Sequence, residues 1–162
     1  MLPRPCPAFL PASALTLAAL LPLAAAHAQQ IVLNNTRSLD FGSFVAASGG
    51  SITISPTGMR TRTGGVVLLN SQMAGQAGFL VARSGSEGGD MAVIISLPAN
   101  GSTRLSSGAN SMAVDNFVHT PSTLASVPAG GVALSVGATL SVAPNQPAGN
   151  YTGTFPLIVN FQ

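Results

Sequence analysis

The chain has 162 residues, of which 46% are hydrophobic and only 6% charged, with a formal net charge of +2. A chain of this size predicts one domain around one core. Sparse charge with no arginine cluster interleaved with aromatics removes the electrostatic basis for nucleic-acid binding, and the single cysteine, Cys6, rules out a disulfide framework.

Residues 1–28 have the layout of a secretory signal peptide. Arg4 lies near the start, a Leu- and Ala-rich run covers 10–26, and Ala26-His27-Ala28 supplies the small residues that a signal peptidase needs. Pro11 and Pro22 interrupt the run, which is also short for a spanning helix. Cys6 precedes the apolar run, the wrong order for lipid attachment. Cleavage after Ala28 leaves residues 29–162, about 134 residues, as a single β-sandwich domain with no cysteine. The expected route is export through the inner membrane, the periplasm in transit, then the cell surface or the medium.

After the leader no window keeps a helical stripe free of Gly and Pro, while short β-branched, Leu and aromatic runs recur about every ten residues, the pattern of a sandwich or barrel. The expected strands are 31–33, 39–45, 51–55, 66–69, 78–82, 91–97, 111–118, 132–136, 139–143 and 151–161. Turn residues separate them at Gly49-Gly50, Pro56-Thr57-Gly58, Gly64-Gly65, 85–90, 98–102, Gly130-Gly131 and 144–150. The final run is the clearest. Tyr151, Gly153, Phe155, Leu157, Val159 and Phe161 share one face, and Thr152, Thr154 and Asn160 take the other. Pro156 lacks an amide proton, which places this strand at or near a sheet edge. So apolar an edge invites pairing with another chain.

Leu39-Asp40-Phe41-Gly42, the stretch Gly50-Ser51-Ile52-Thr53-Ile54-Ser55-Pro56-Thr57-Gly58, the run Thr63-Gly64-Gly65-Val66-Val67-Leu68-Leu69 and the ending Asn145-Gln146-Pro147-Ala148-Gly149-Asn150-Tyr151-Thr152-Gly153-Thr154-Phe155 resemble the bacterial family called domain of unknown function 4402. That family in turn resembles the pilin-like subunits of chaperone-usher fimbriae, which tend to carry a glycine fourteen residues from the end, an alternating last strand and a penultimate aromatic. Gly149 and Phe161 stand at those positions here. The resemblance implies an immunoglobulin-like β-sandwich lacking its last strand and completed by donor-strand exchange. A periplasmic chaperone delivered to an outer-membrane usher fills the gap first, and a strand from another copy or a related subunit fills it afterwards. Ahead of Leu39 the only apolar residues for a donor strand are Ile31 and Leu33 on one face and Val32 on the other.

The residues expected to line the core or the exchange groove are Leu39, Phe41, Phe44, Gly149, Tyr151, Gly153, Phe155, Leu157, Val159 and Phe161. Their role is packing, and no catalytic, cofactor or metal residues are assigned. Asp115 precedes His119 by four residues, about 13 Å along a strand, and no nucleophile elbow accompanies them. The stretch 85–90, with Glu87 and Asp90, reads as a polar hairpin loop ahead of a calcium turn. Arg60 and Arg62 read as solvated charges. Met59, Met73, Met91 and Met112 share no spacing and read as core or edge filling. Asn34-Asn35-Thr36, Asn100-Gly101-Ser102 and Asn150-Tyr151-Thr152 fit the glycosylation pattern, but the leader is bacterial in style and no glycan is assigned. The leading expectation is a structural subunit of a surface fimbria or similar polymer. The alternative is a self-contained, adhesin-like β-sandwich that binds carbohydrate or protein through its loops.

Overall fold

The computed structural model describes residues 30–84, 92–128 and 130–162. The expected signal peptide and the 85–90 loop with Glu87 and Asp90 lie outside the described residues, as does Met91. Nine strands are described: β1 Gln30–Arg37, β2 Phe44–Ile54, β3 Arg60–Leu68, β4 Ala77–Ser84, β5 Val93–Ser96, β6 Thr103–Ser107, β7 Asn110–Thr120, β8 Val132–Val142 and β9 Ile158–Phe161. No helix among the described residues is long and apolar enough to cross a membrane. The chain is all-β and forms an open β-sandwich.

The central strand is β8. Its first half pairs β4, from Val132 opposite Val81 to Val136 opposite Ala77, and β4 in turn pairs β1. Its second half pairs β2, from Ala138 opposite Ile54 to Val142 opposite Gly50. On the other edge β7 runs beside both halves and pairs β6. Among the described residues a second layer holds β5 and β9, antiparallel, with Val93 opposite Phe161 and Ser96 opposite Ile158. The order β1-β4-β8-β7 matches strands A-B-E-D of an immunoglobulin sandwich, and β5-β9 matches C and F. Among the described residues no strand stands at position G, beside the outer edge of β9.

The β2–β3 hairpin is an insertion between A and B. Val45 faces Val67 and Ala46 faces Val66, but pairing resumes only at Gly50 opposite Gly64. Three residues of β2 therefore oppose Gly65 alone, a bulge that bends both strands. Gly49 (φ 81°) and Gly64 (φ 67°) hold left-handed backbone there, which side chains rarely adopt. The Gly49-Gly50 and Gly64-Gly65 pairs, expected as turns, are thus a corner inside two strands. Arg60 ties the folded hairpin: its guanidinium donates to the carbonyls of Leu69 and Ser43, both at 2.9 Å. Nine residues of straight strand would span about 30 Å, far beyond an arginine side chain, so β3 doubles back at its glycines.

Two contiguous clusters form the core. The first contains Phe41, Ile52, Ile54, Val66, Met112, Val114, Ala138, Leu140 and Val142. The second contains Ala77, Val81, Val93, Leu124, Val127, Leu134 and Val136 and is covered by Ile31, Leu33, Phe155, Leu157 and Val159. Alternation explains the assignment, since Ile52 and Ile54, or Leu134 and Val136, stand two apart on one face.

Candidate strand-binding groove

A groove of about 890 Å³ runs between residues 38–46 on one side and 146–153 on the other, with Leu105, Met112 and Leu140 of the first core at its base. Among the described residues Asp40 is the one charged side chain lining it.

The first wall is held by residues 70–75, of which 70–73 also line the groove. Asp40 and Gly75 exchange backbone hydrogen bonds at 2.9 and 2.8 Å, Asp40 Oδ1 accepts from the Gly42 amide at 2.6 Å, and Ser71 Oγ accepts from the Ser43 amide at 2.7 Å. Arg37 donates to the carbonyls of Met73 and Ala74, both at 3.1 Å. Residues 44–46 pair β3 on one side. On the groove side the ladder to β8 starts only at Gly50, so 44–46 present a free strand edge. Arg60 belongs to the same wall. Burial lowers its pKa, with nearby Asp40 acting in the opposite direction, and its Nε is buried without a partner. Its expected role as a solvated charge is thus corrected: two backbone carbonyls hold it. Arg62 remains exposed, with a contact at 3.4 Å to the Gly64 carbonyl.

The second wall hangs on Tyr151, whose hydroxyl donates to the Pro147 carbonyl at 2.7 Å and accepts from Gln146 Nε2 at 2.9 Å. A tyrosine bonded back to the backbone a few residues upstream, here seven residues ahead of β9, resembles the tyrosine corner of immunoglobulin-like sandwiches. Thr152 and Ser106 then exchange backbone hydrogen bonds at 3.1 and 2.8 Å. From Gly153 through Leu157 the described backbone makes no hydrogen bond to another segment, and the ladder resumes at Ile158. The expected strand 151–161 is therefore shorter than its alternation suggests. Burial still alternates from Thr154 onward, with Phe155, Leu157, Val159 and Phe161 half-buried and the even positions exposed; Tyr151 is half-buried too, while Gly153 is exposed. Pro156, which cannot donate, sits inside the unpaired stretch.

A sequence profile of the family described as Domain of unknown function (DUF4402) matches residues 31–161. The chain belongs to the DUF4402 family. No curated protein and no solved structure matches it.

The DUF4402 domain brings six of the ten sequence-nominated residues, Leu39, Phe41, Phe44, Gly149, Tyr151 and Gly153, to the one groove. Phe155 lines a smaller adjoining cavity of about 240 Å³ that shares Ser38, Leu39, Leu105 and Gly153 with the groove. Its ring stands edge-on to Phe79 at 6.2 Å between centroids and tilted against Phe117 at 5.0 Å. Leu157 and Val159 cover the second core, and Phe161 lies opposite Val93, outside both cavities. Sequence reasoning did not place Leu105, Met112 or Leu140 at the groove, although it read Met112 as core or edge filling, and it read Arg60 as a solvated charge. The alternation of β8, with Leu134, Val136, Ala138, Leu140 and Val142 all buried, was the signal that could have pointed to Leu140.

Asp115 and His119 are not assembled into an acid-base pair. Asp115 Oδ1 accepts from the Gly101 amide at 2.6 Å, and His119 Nδ1 lies 2.8 Å from the Pro121 carbonyl. Met112 is buried in the first core, while Met59 and Met73 are exposed. Among the described residues no three His, Cys, Asp or Glu are grouped to hold a metal ion.

The Tyr151 hydrogen bonds make a direct prediction. Tyr151→Phe deletes one donor and one acceptor at the groove wall and should lower stability by about 1–2 kcal/mol, read as a lower urea midpoint at unchanged m.

Proposed function

We propose that this DUF4402 chain is a structural subunit of a bacterial surface polymer, a fimbria or similar envelope filament, whose chains are joined by addition of a β-strand across the groove. The observation that carries this reading is the stretch 153–157, in which Phe155 and Leu157 are half-buried and whose backbone pairs with no other segment among the described residues, beside a groove whose opposite wall also has a free edge. Free backbone donors and acceptors next to a polar-rimmed groove with Leu105, Met112 and Leu140 at its base suit a guest strand, whose backbone gives affinity and whose alternate side chains enter the cavities. The two-stranded second layer, with no strand at position G among the described residues, supports the same reading.

The likeness to chaperone-usher subunits supplies the partner classes: a periplasmic chaperone and an outer-membrane usher during export, then other copies or related subunits. The signal-like leader agrees with that route. A second reading, a self-contained surface sandwich that binds carbohydrate or protein, is favoured by one observation: Gln30–Arg37 is already engaged by its own chain's β4.

A comparison of surface protein boiled and unboiled in detergent separates the two. Strand-joined polymers should give a heat-sensitive ladder at multiples of the monomer. A single monomer band in both lanes, with reversible unfolding of the purified mature chain, would move the self-contained module to first place.

A further inference from the structure

The one Asn-Gly pair in the described strands and turns is Asn100-Gly101, in the exposed turn that leads into β6. An Asn-Gly pair is the dipeptide most prone to deamidation, because glycine has no Cβ to impede ring closure. The Gly101 backbone nitrogen loses its proton and attacks Asn100 Cγ, the bond from Cγ to the side-chain nitrogen breaks, and ammonia leaves carrying that proton. Water then opens the five-membered imide to aspartate or its β-linked isomer. Around Gly101 there is room for this, since an added Cβ would meet nothing within 4 Å.

Three hydrogen bonds from the β7 bulge oppose it. The Gly101 amide donates to Asp115 Oδ1 at 2.6 Å, so the attacking nitrogen is directed at a carboxylate. A negative charge that close also disfavours the amide anion that must form. The Asn100 carboxamide is held at both ends: its Oδ1 accepts from the Asn116 amide at 2.8 Å, and its Nδ2 donates to Asn116 Oδ1 at 3.2 Å. Pairing of β7 with β8 shifts between Asp115 and Val118, and Asn116 has left-handed backbone (φ 52°). A bulge of this kind re-aims side chains, and asparagine tolerates the conformation.

We infer that Asn100-Gly101 is a latent deamidation site that Asp115 and Asn116 hold shut in the folded protein. This gives the Asp115-Asn116 pair a role that neither catalysis nor strand pairing supplies. It also suits the surface polymer proposed above, on which this point rests, since an added charge and an isomerised backbone would accumulate with age outside the cell.

The test is to age the purified exported protein at mildly alkaline pH and follow Asn100 by peptide mapping, with Asn110-Ser111 as the internal reference. Asn100 in the folded protein should convert at least about tenfold more slowly than in the same protein unfolded in urea. Asp115→Ala should raise the folded-state rate at least about tenfold, since a hydrogen bond to a charged group is lost. Asp115→Asn, which keeps an acceptor, should restore most of the protection, and Asn110 should not change. Equal rates in folded and unfolded protein would overturn the inference. So would an unchanged or slower rate in Asp115→Ala, the slower one marking Asp115 as a base that assists attack. If Asp115→Ala unfolds, Asn110 accelerates with Asn100. Asn116→Ala then decides: acceleration at Asn100 alone supports the lock, and none overturns it.

Discussion

Gly137→Ala should lower the unfolding free energy by about 3 kcal/mol, at the upper end of what overpacking a core costs. Gly137 is where β8 changes partners, from Ala77 opposite Val136 to Ile54 opposite Ala138. The chain leaving β2 turns away directly over it. A Cβ there would overlap the Ile54 carbonyl oxygen and stand 2.7 Å from the Ser55 carbonyl carbon and 2.8 Å from the Pro56 nitrogen. Those are backbone atoms that cannot rotate aside, and Ile54, Ala77, Val136 and Ala138 are fully buried. Relief must therefore come from shifting β2 against β8, which disturbs both clusters at their junction. A domain of this size has a total stability of about 5–15 kcal/mol, so the loss should be plain in a urea titration. Gly130→Ala is the control, because a Cβ there meets nothing within 4 Å, and its effect should stay within about 0.5 kcal/mol. Similar losses in the two variants would mean that contact at the junction is not what makes Gly137 necessary.

Gly137 also shows where the sequence could be read and where it could not. Its glycine reads as a break between two strands, 132–136 and 139–143, whereas the structure runs one strand through it and uses the missing side chain for the closest approach of another. The Gly49-Gly50 and Gly64-Gly65 pairs mislead in the same way, since a glycine required by a bulged corner looks like one required by a turn. Strand β6, Thr103–Ser107, was not expected at all: its one large apolar residue, Leu105, sits among polar ones, and only its pairing with Met112 of β7 makes it a strand. Alternation proved the durable signal. It placed one face of 151–161 inward even where the backbone has no partner, because burial follows side-chain period and hydrogen bonding does not. The groove could be half inferred, since Leu39, Phe41, Phe44 and Tyr151 are aromatic or aliphatic residues next to turn chemistry. Its base could not, because Leu105, Met112 and Leu140 come together only through the pairing of β6, β7 and β8. The arginine tie was likewise illegible, because the target carbonyls of Arg60 lie seventeen residues before it and nine after it in the chain.

Ala46→Asp should abolish assembly while leaving the monomer folded. Ala46 is half-buried, packs on the first core and lines the groove on the free-edge side of β2. In the unfilled groove its replacement carboxylate can reach water through the open face, so the isolated domain should lose little stability. A guest strand would close that face and strand the charge in a groove based on Leu140, with Asp40, of the same sign, as the one charged side chain along it among the described residues. Removing an unpaired carboxylate from water costs several kcal/mol even after relaxation, which corresponds to a loss of assembly of at least about 100-fold. The cost falls on the occupied state alone, and that asymmetry separates a binding defect from a folding defect. The expected result is a single monomer band in unboiled surface protein, with a urea midpoint of the purified variant close to that of the parent. Ala46→Ser, uncharged and nearly isosteric, should keep the ladder. An intact ladder in Ala46→Asp would show that this groove does not take the joining strand, and would shift attention to the outer edge of β9 or to exchange of β1.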